Sequence, residues 1–138
     1  MSLYVLDTDR LTLWLRGQPR VCERLLTHHP AELCTSIVTI EEILNGWYTQ
    51  IRRAKNDEQM ARAYAALQQT LDIGSRVPIL AFDRAAIQRF NELRKRGRRV
   101  GTNDLKIAAT VMEHEAVLVT RNQSDFGRIP GLAFEDWS

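Results

Sequence analysis

The sequence holds few of the residues that build soft-metal sites or covalent cross-links: two cysteines and three histidines among 138 residues. Cys22 and Cys34 have no C-x-x-C spacing and are too sparse for a disulfide framework. We interpret them as small, reduced hydrophobic side chains. Glycine-rich phosphate loops of the G-x-x-x-x-G-K-S/T or G-x-G-x-x-G type are also absent. A thiolate-rich or imidazole-rich metal site and a glycine-loop nucleotide site are therefore both disfavoured.

Long apolar runs are missing too. No stretch approaches the roughly eighteen apolar residues that would span a bilayer, and residues 1–6 lack the basic start of a secretory signal. We therefore expect a cytoplasmic protein with no membrane partner. The 138 residues are 44% hydrophobic and 26% charged, which fits a single globular domain over residues 1–138.

Short apolar strands and amphipathic helices alternate along the chain. The strand-like segments are residues 3–6, 33–38, 77–82, 116–120 and 132–134. Helical spacing of apolar residues fills the intervals, including a helix that begins at Thr39, one capped by Asp83 and ended by Gly97, and one capped by Thr102 or Asn103. Since strands joined by helices run parallel, the pattern predicts an α/β fold with a mainly parallel sheet and helices on both faces.

Four acidic residues follow strands or open the next helix. They are Asp7, Glu42, Asp104 and Asp125. A doubly wound parallel sheet brings such positions to one edge, beyond the carboxyl ends of its strands. Crowded carboxylates raise one another's pKa unless a cation offsets their charge. An all-oxygen ligand set suits Mg²⁺ or Mn²⁺, and such an ion can activate water against a phosphodiester.

Each acid also has a purely structural interpretation. Asp7 can cap the first helix, and Thr39 with Glu42 fits a capping box. Asp104 suits a helix N-terminus because of the helix dipole, and Asp125 can be an ordinary loop acid. Taken singly, the structural interpretation is favoured for Glu42 and Asp125, whereas Asp7 and Asp104 are evenly balanced.

Four sequence motifs occur in order at regular intervals. They are YVLDTD (residues 4–9), SIVTIEEILNG (36–46), RGRRVGTNDLKIAA (96–109) and LVTRNQSDF (118–126), followed by IPGL (129–132) and EDW (135–137). Together they resemble the PIN-domain ribonucleases and, within them, the VapC toxins of bacterial toxin–antitoxin pairs. The resemblance covers essentially the whole chain, and its specificity comes from the combination of motifs in order.

This resemblance implies a three-layer α/β/α sandwich and Mg²⁺- or Mn²⁺-dependent endonucleolytic cleavage of RNA, often tRNA, leaving 5′-phosphate and 3′-hydroxyl ends. It also implies inhibition by a VapB-type antitoxin. The acids that it assigns to the metal and to catalysis are Asp7, Glu42, Asp104 and Asp125. Thr8 and Asn122 are implied as polar supports of the crevice. Asp9 departs from the family pattern, in which Asn is common at that position.

Although the net charge is only +2, basic charge is concentrated between residues 84 and 106. Its densest part is a candidate RNA-binding segment formed by Arg94, Lys95, Arg96, Arg98 and Arg99. Like charges this close repel one another unless an anion is nearby, and the arginine fork suits phosphate. A solvated helix end is the alternative interpretation.

Two other functions remain open from the sequence. Asp7 and Asp9 form a D-x-D after a buried strand, as in haloacid-dehalogenase-like phosphatases, although the Lys and the later acidic pair of those enzymes have no evident counterparts. A non-catalytic RNA-binding or partner-binding module is the third possibility.

Two helices carry more apolar residues than one small core needs. These residues are Ile43, Leu44, Trp47 and Ile51 on the first helix and Met60, Tyr64 and Leu67 on the second. We expect part of this surface to bind an antitoxin helix or a second copy of the chain, giving a homodimer. Trp14 and Trp47 are expected to be buried, and His28 and His29 to lie at the surface.

Overall fold

The computed structural model describes residues 2–96 and 99–137 and shows an alternation of strands and helices. The strands are β1 (Tyr4–Leu6), β2 (Leu33–Ser36), β3 (Ile79–Leu80), β4 (Val117–Val119) and β5 (Phe134–Glu135). The helices are α1 (Thr8–Leu15), α2 (Pro19–Leu26), α3 (Ile37–Arg53), α4 (Asp57–Gly74), α5 (Arg84–Lys95), α6 (Thr102–Glu113) and α7 (Gln123–Phe126), with a 3₁₀ turn at Pro30–Glu32.

The five strands form one sheet in the order β3-β2-β1-β4-β5, and each pair of neighbours is parallel. Val5 in the central strand lies opposite Cys34 of β2 and Leu118 of β4. The chain moves outward from β1 in one direction through β2 and β3, and in the other through β4 and β5. This reversal of strand order places a crevice at the carboxyl ends of β1 and β4, where ligands bind in open α/β sheets.

Apolar side chains cover both faces of the sheet. Val5 packs with Phe90 of α5 and Leu105 of α6 on one face. Its neighbour Leu6 packs on the other face with residues that include Leu11 of α1. Side chains alternate in direction along a strand, so a central strand with helices on both sides must be apolar at successive positions. The predicted α/β fold, a three-layer sandwich with a parallel sheet, is confirmed.

Several predicted boundaries are wrong in detail. The structure begins α3 at Ile37 rather than Thr39, because Ser36 is the N-cap and its Oγ accepts a 3.0 Å hydrogen bond from the Thr39 backbone N–H. The third strand contains only Ile79 and Leu80, and the last strand is Phe134–Glu135 instead of residues 132–134.

The predicted helix caps have different outcomes. The expected cap at Asp83 is confirmed by a 3.1 Å hydrogen bond from the Ala86 backbone N–H. Helix α6 has Gly101 at its N-cap and no side-chain cap, in contrast to the predicted Thr102 or Asn103. The predicted stop at Gly97 lies outside the described residues.

The aromatic residues pack between elements. Trp47 is half-buried, and its Nε1 donates a 2.9 Å hydrogen bond to Thr70 Oγ1, which joins α3 to α4. His28, expected at the surface, is half-buried and stacks on Trp137 at 4.4 Å between ring centroids.

In the part of the chain that the structure describes, no helix combines the length and apolar character needed to cross a membrane.

Candidate active site

A small cavity of about 230 Å³ lies at the carboxyl edge of the sheet. Its lining residues are Asp7, Thr8, Asp9, Glu42, Asp104, Ile107, Asn122 and Phe126. The fold thus brings together three of the four acids singled out in the sequence, together with all three of the predicted supporting residues. Asp125 does not line this cavity, but its charge reaches Asp104.

Asp7 directly follows β1 and occupies the N-cap of α1. Its Oδ1 accepts a 2.9 Å hydrogen bond from the Arg10 backbone N–H, and its own N–H donates to the Val119 carbonyl at 3.2 Å. Burial raises the pKa of Asp7, although a hydrogen bond from the Thr120 side chain and the one from Arg10 act in the opposite direction. The capping interpretation is therefore correct, and it coincides with a place in the cavity.

Glu42 lies in the second turn of α3, because that helix begins at Ile37. The capping-box interpretation, which needed Thr39 at the N-cap, is therefore wrong. Instead, Glu42 Oε1 accepts a 2.9 Å hydrogen bond from the Thr8 hydroxyl. This contact fastens Glu42 to the start of α1 and directs it toward the acidic cavity rather than toward its own backbone.

Asp104 lies in the first turn of α6 and is partly buried. Its pKa is raised from the ordinary 3.8 to about 6. Burial is the largest cause, followed by the negative charges of Glu42, Asp125, Asp7 and Asp9. Five carboxyl groups from four separate segments of the chain therefore share one electrostatic environment.

Asn122 is the N-cap of the short helix α7 and contacts the fourth predicted acid. Its Nδ2 donates to Asp125 Oδ2 at 2.9 Å, and its Oδ1 accepts from the Asp125 backbone N–H at 3.4 Å. The Asn122 N–H in turn donates to Thr120 Oγ1 at 3.0 Å. Asn122 therefore positions the Asp125 carboxylate while also lining the cavity.

The carboxylates of this cavity suit a hard divalent cation by their chemistry. Their donors are all oxygen, and burial together with the neighbouring carboxylates raises the pKa of Asp104, an effect that a bound cation would oppose. Across residues 2–96 and 99–137, no three His, Cys, Asp or Glu side chains are arranged so that they could together ligate a metal ion. The chemistry of the oxygen donors, rather than a closed ligand geometry, fits a hard divalent cation that retains several of its own waters and so needs few direct protein contacts.

The predicted RNA-binding segment lies outside the cavity. Arg94 and Lys95 end α5, Arg96 is its C-cap, and Arg99 follows; these four side chains are exposed. Arg98, the fifth residue of this prediction, lies outside the described residues. The segment precedes α6 in the chain, so it leads directly to the helix that carries Asp104.

A group of arginines near the cavity was not predicted from the sequence. Arg10, Arg20 and Arg121 line a neighbouring pocket, and Arg10 is almost fully buried. Arg10 lies three residues after Asp7, so the two share a face of α1. That spacing was the available signal, but arginine is usually assigned to the surface.

Comparison with known proteins gives consistent matches over nearly the whole chain. The PIN domain family model matches residues 4–132. Ribonuclease VapC1 of Haemophilus influenzae strain R2866 is 31% identical, over 99% of this chain and 98% of that protein. The tRNA(fMet)-specific endonuclease VapC of Shigella flexneri is 28% identical over the full length of both. Among solved structures, DNA-bound VapBC from Salmonella typhimurium superposes with a TM-score of 0.79 at 27% identity, covering 100% of both chains.

Proposed function

The chain belongs to the PIN-domain family and, within it, to the VapC ribonucleases, and on that premise we propose that it is a metal-dependent endoribonuclease toxin. Its substrate in this proposal is RNA, specifically tRNA, in the cytoplasm, and a VapB-type antitoxin inhibits it. The observation that carries the proposal is the convergence of Asp7, Asp9, Glu42 and Asp104 on one cavity at the carboxyl edge of the sheet. Acids that converge where the strand order reverses can hold a cation, and such a cation can promote hydrolysis of a phosphodiester.

Asp7, Glu42, Asp104 and Asp125 would hold one or two Mg²⁺ ions, with Mn²⁺ as a substitute, directly or through water. When bound, the cation supplies positive charge that stabilises the phosphodiester during in-line attack and favours deprotonation of the attacking water. The residues lining the cavity include no histidine, so no imidazole base is assigned to the reaction.

The protein's own contribution is to fix the acids before the substrate arrives. Asp7 is held by the first turn of α1, Glu42 by the Thr8 hydroxyl, and Asp125 by the Asn122 amide. Such partners fix the orientation of ligating carboxylates and are important for both affinity and activity. Thr8 and Asn122 are therefore positioning residues in this proposal.

Incubation of purified protein with labelled RNA in Mg²⁺, in EDTA and as the Asp7→Asn variant tests the activity. We expect cleavage by the unsubstituted protein in Mg²⁺ only, and none by Asp7→Asn. RNA binding without cleavage by both proteins would overturn the proposal in favour of a non-catalytic module. Mapping of the RNA ends after a brief pulse of expression then identifies the RNA and tests for 5′-phosphate and 3′-hydroxyl termini.

The antitoxin is proposed to bind the groove between the end of α3 and the start of α4. This groove encloses about 590 Å³ and combines the apolar Trp47, Ala63 and Ala66 with the basic Arg53 and Arg62. The apolar base and basic rim favour an amphipathic antitoxin segment with acidic residues. The VapBC complexes among the structural relatives support a VapB-type antitoxin as the partner.

Two exposed residues of α4 outside the groove lining are assigned to the same antitoxin-binding surface in this proposal. Met60 and Tyr64 are 43% and 54% exposed. Tyr64→Lys should weaken copurification with a coexpressed VapB-type antitoxin, whereas Leu26→Lys, at an exposed residue of α2, should not. Equal losses for both variants would place the antitoxin elsewhere.

A second copy of the chain is the other candidate occupant of this apolar surface, as a homodimer. Sedimentation of the protein alone tests this possibility. A soluble, non-toxic monomer on expression without antitoxin would count against both the homodimer and the antitoxin surface.

A further inference from the structure

A second cavity near the acidic one is lined by basic side chains. It encloses about 160 Å³, more than the roughly 30 Å³ share of one water molecule. Its lining residues are Arg10, Leu13, Gln18, Arg20, Val21 and Arg121. In the part of the chain that the structure describes, no acidic side chain lines this arginine pocket. Three cations thus surround a space that has no protein anion in its walls.

Arg10 is the unusual member of the arginine pocket. Only 2% of its surface is exposed, and its Nε has no hydrogen-bond partner among the described residues. Within residues 2–96 and 99–137, no carboxylate oxygen lies within 4.0 Å of its guanidinium nitrogens. A buried, unpaired cation is strongly unfavourable, and an unsatisfied buried donor indicates a missing partner such as an ion.

Asp7 attracts Arg10 electrostatically but does not pair with its guanidinium. The Asp7 Oδ1 accepts the backbone N–H of Arg10, and the same carboxylate faces the acidic cavity. Gln18 Oε1 accepts a 2.8 Å hydrogen bond from the Val21 N–H, so the rest of its amide remains a donor. The pocket therefore offers guanidinium and amide donors to an anion from outside the chain.

The arginine pocket and the acidic cavity share two segments of the chain. Arg10 and Asp7 lie one turn apart at the start of α1, and Arg121 immediately precedes Asn122, which lines the acidic cavity. An RNA strand with one phosphodiester in the acidic cavity carries further phosphates on either side of it, and the arginine pocket adjoins that cavity through these two segments. Basic grooves that follow the backbone are the usual device for binding single-stranded nucleic acid.

We propose that Arg10, Arg20 and Arg121 bind a backbone phosphate of the RNA strand, next to the phosphodiester cleaved in the acidic cavity. This inference rests on the proposed ribonuclease function. Arginine suits the role because its planar fork donates two hydrogen bonds to phosphate oxygens. The phosphate supplies the partner that the buried Arg10 lacks, and it sets which phosphodiester lies over the acids.

Thermal unfolding in EDTA tests the pocket without reference to catalysis. Inorganic phosphate should raise the Tm of the unsubstituted protein relative to chloride at equal ionic strength, because a ligand that binds only the folded state stabilises it. Arg121→Gln and Arg10→Met should lose this increase. The control Arg76→Gln removes one exposed arginine that pairs with Asp72 and does not line the arginine pocket, and it should retain the increase.

Arg10→Met separates this role from a merely structural one. Replacement of an unpaired buried cation by an apolar side chain of similar length is expected to keep or raise the Tm in phosphate-free buffer. A structural arginine would instead give a lower Tm with the phosphate effect preserved, which would overturn the proposal. If Arg10→Met does not fold, the test depends on Arg121→Gln, which changes an exposed residue and should still lose the rise in Tm with phosphate.

RNA binding is then measured by fluorescence anisotropy with a labelled single-stranded oligonucleotide, in an Asp104→Asn background that prevents cleavage. Arg121→Gln and Arg10→Met should each raise the Kd for the RNA roughly tenfold. Each should also reduce the slope of log K against log salt concentration by about 0.7. Arg76→Gln should change neither.

The proposal would be overturned if phosphate did not raise the Tm of the unsubstituted protein. It would also be overturned if phosphate raised that Tm but the arginine variants bound RNA as tightly as the unsubstituted protein. A larger rise in Tm with an acidic peptide than with phosphate would overturn it as well. Failure of the ribonuclease function itself would be recognised separately, as absent Mg²⁺-dependent cleavage by the unsubstituted protein.

Discussion

The Thr8 hydroxyl donates a 2.9 Å hydrogen bond to Glu42 Oε1 across 34 positions of sequence. Thr8 is the first residue of α1, and Glu42 lies in the second turn of α3. The contact therefore ties together the two helices that follow the neighbouring strands β1 and β2. It fixes one carboxylate of the acidic cavity relative to Asp7, which immediately precedes Thr8.

Thr8→Val should lower Mg²⁺-dependent RNA cleavage by about 10- to 100-fold, the usual effect of removing a group that orients a metal ligand. The valine has nearly the same shape but cannot donate to Glu42, so the carboxylate loses its fixed orientation. The measurement is the cleavage rate as a function of Mg²⁺ concentration, and we expect the half-saturating concentration to rise.

Thr8→Ser is the matched control, because it keeps the hydroxyl and should retain most of the activity. A loss in Thr8→Ser equal to that in Thr8→Val would show that the methyl group, rather than the hydrogen bond, is important here.

Asp104→Asn should abolish cleavage and yet stabilise the protein at neutral pH in EDTA. The pKa of Asp104 is about 6 in the folded protein and 3.8 ordinarily, so folding favours the protonated form. Stability contributed by this carboxyl group is therefore lost as the pH rises from about 4 through 6. Asn has no charge to bury, so the Tm of the variant should exceed that of the unsubstituted protein at pH 8 by a few degrees.

The same comparison at pH 4 should show almost no difference in Tm, because the carboxyl group is then largely protonated. Asp57→Asn, which removes an exposed acid from the start of α4, serves as the control and should give no such gain at pH 8. A Tm difference for Asp104→Asn that is constant from pH 4 to pH 8 would contradict the electrostatic explanation.

Much of the candidate site could be predicted because acids that follow buried parallel strands are visible in the sequence. Asp7 comes directly after β1, and the helix that begins with Thr102 carries Asp104 in its first turn. The start of α3 could not be predicted from periodicity, since Ser36 is both the last residue of β2 and the helix cap, with no loop between them.

Two other features depend on tertiary contacts that hydrophobic patterns do not contain. The hydrogen bond between Thr8 and Glu42 joins residues that come together only when β1 and β2 pair. The burial of Arg10 contradicts the usual exposure of arginine and became evident only from the packed structure.

Asp9→Asn should retain cleavage within about fivefold of the unsubstituted protein. Asp9 lines the acidic cavity but is exposed, and a single exposed charge contributes little to an interaction energy. The rate of RNA cleavage in saturating Mg²⁺ gives the comparison, with Asp7→Asn as the inactive reference. Complete loss of RNA cleavage in Asp9→Asn would contradict this expectation and would show that Asp9 takes a direct part in holding the metal or the RNA.

Substitution of both Arg96 and Arg99 by Gln should weaken RNA binding. It should also reduce the slope of log K against log salt concentration by about 0.7 for each lost phosphate contact. Both side chains are exposed beside the start of α6, so their removal should leave the Tm nearly unchanged. Anisotropy titrations at several salt concentrations measure both quantities. An unchanged salt slope would mean that this segment is only a solvated helix end.

Thr70→Val should lower the free energy of unfolding by about 1–3 kcal/mol, because it leaves the partly buried Trp47 Nε1 without its hydrogen-bond acceptor. The hydroxyl of Thr70 is almost fully buried between α3 and α4, so water cannot readily replace it. Urea unfolding measures the loss. Thr49→Val removes an exposed hydroxyl from the same helix as Trp47 and should cost much less.

Since Trp47 also lines the groove assigned to the antitoxin, Thr70→Val should weaken antitoxin binding more than RNA cleavage by the free toxin. The acidic cavity is built on α1 and α7 with their N-cap residues, on α3 and on α6, and α4 contributes none of its lining residues. Equal losses of antitoxin binding and cleavage would mean that the α3–α4 pair and the acidic cavity are mechanically coupled, whereas separate losses would identify them as independent surfaces.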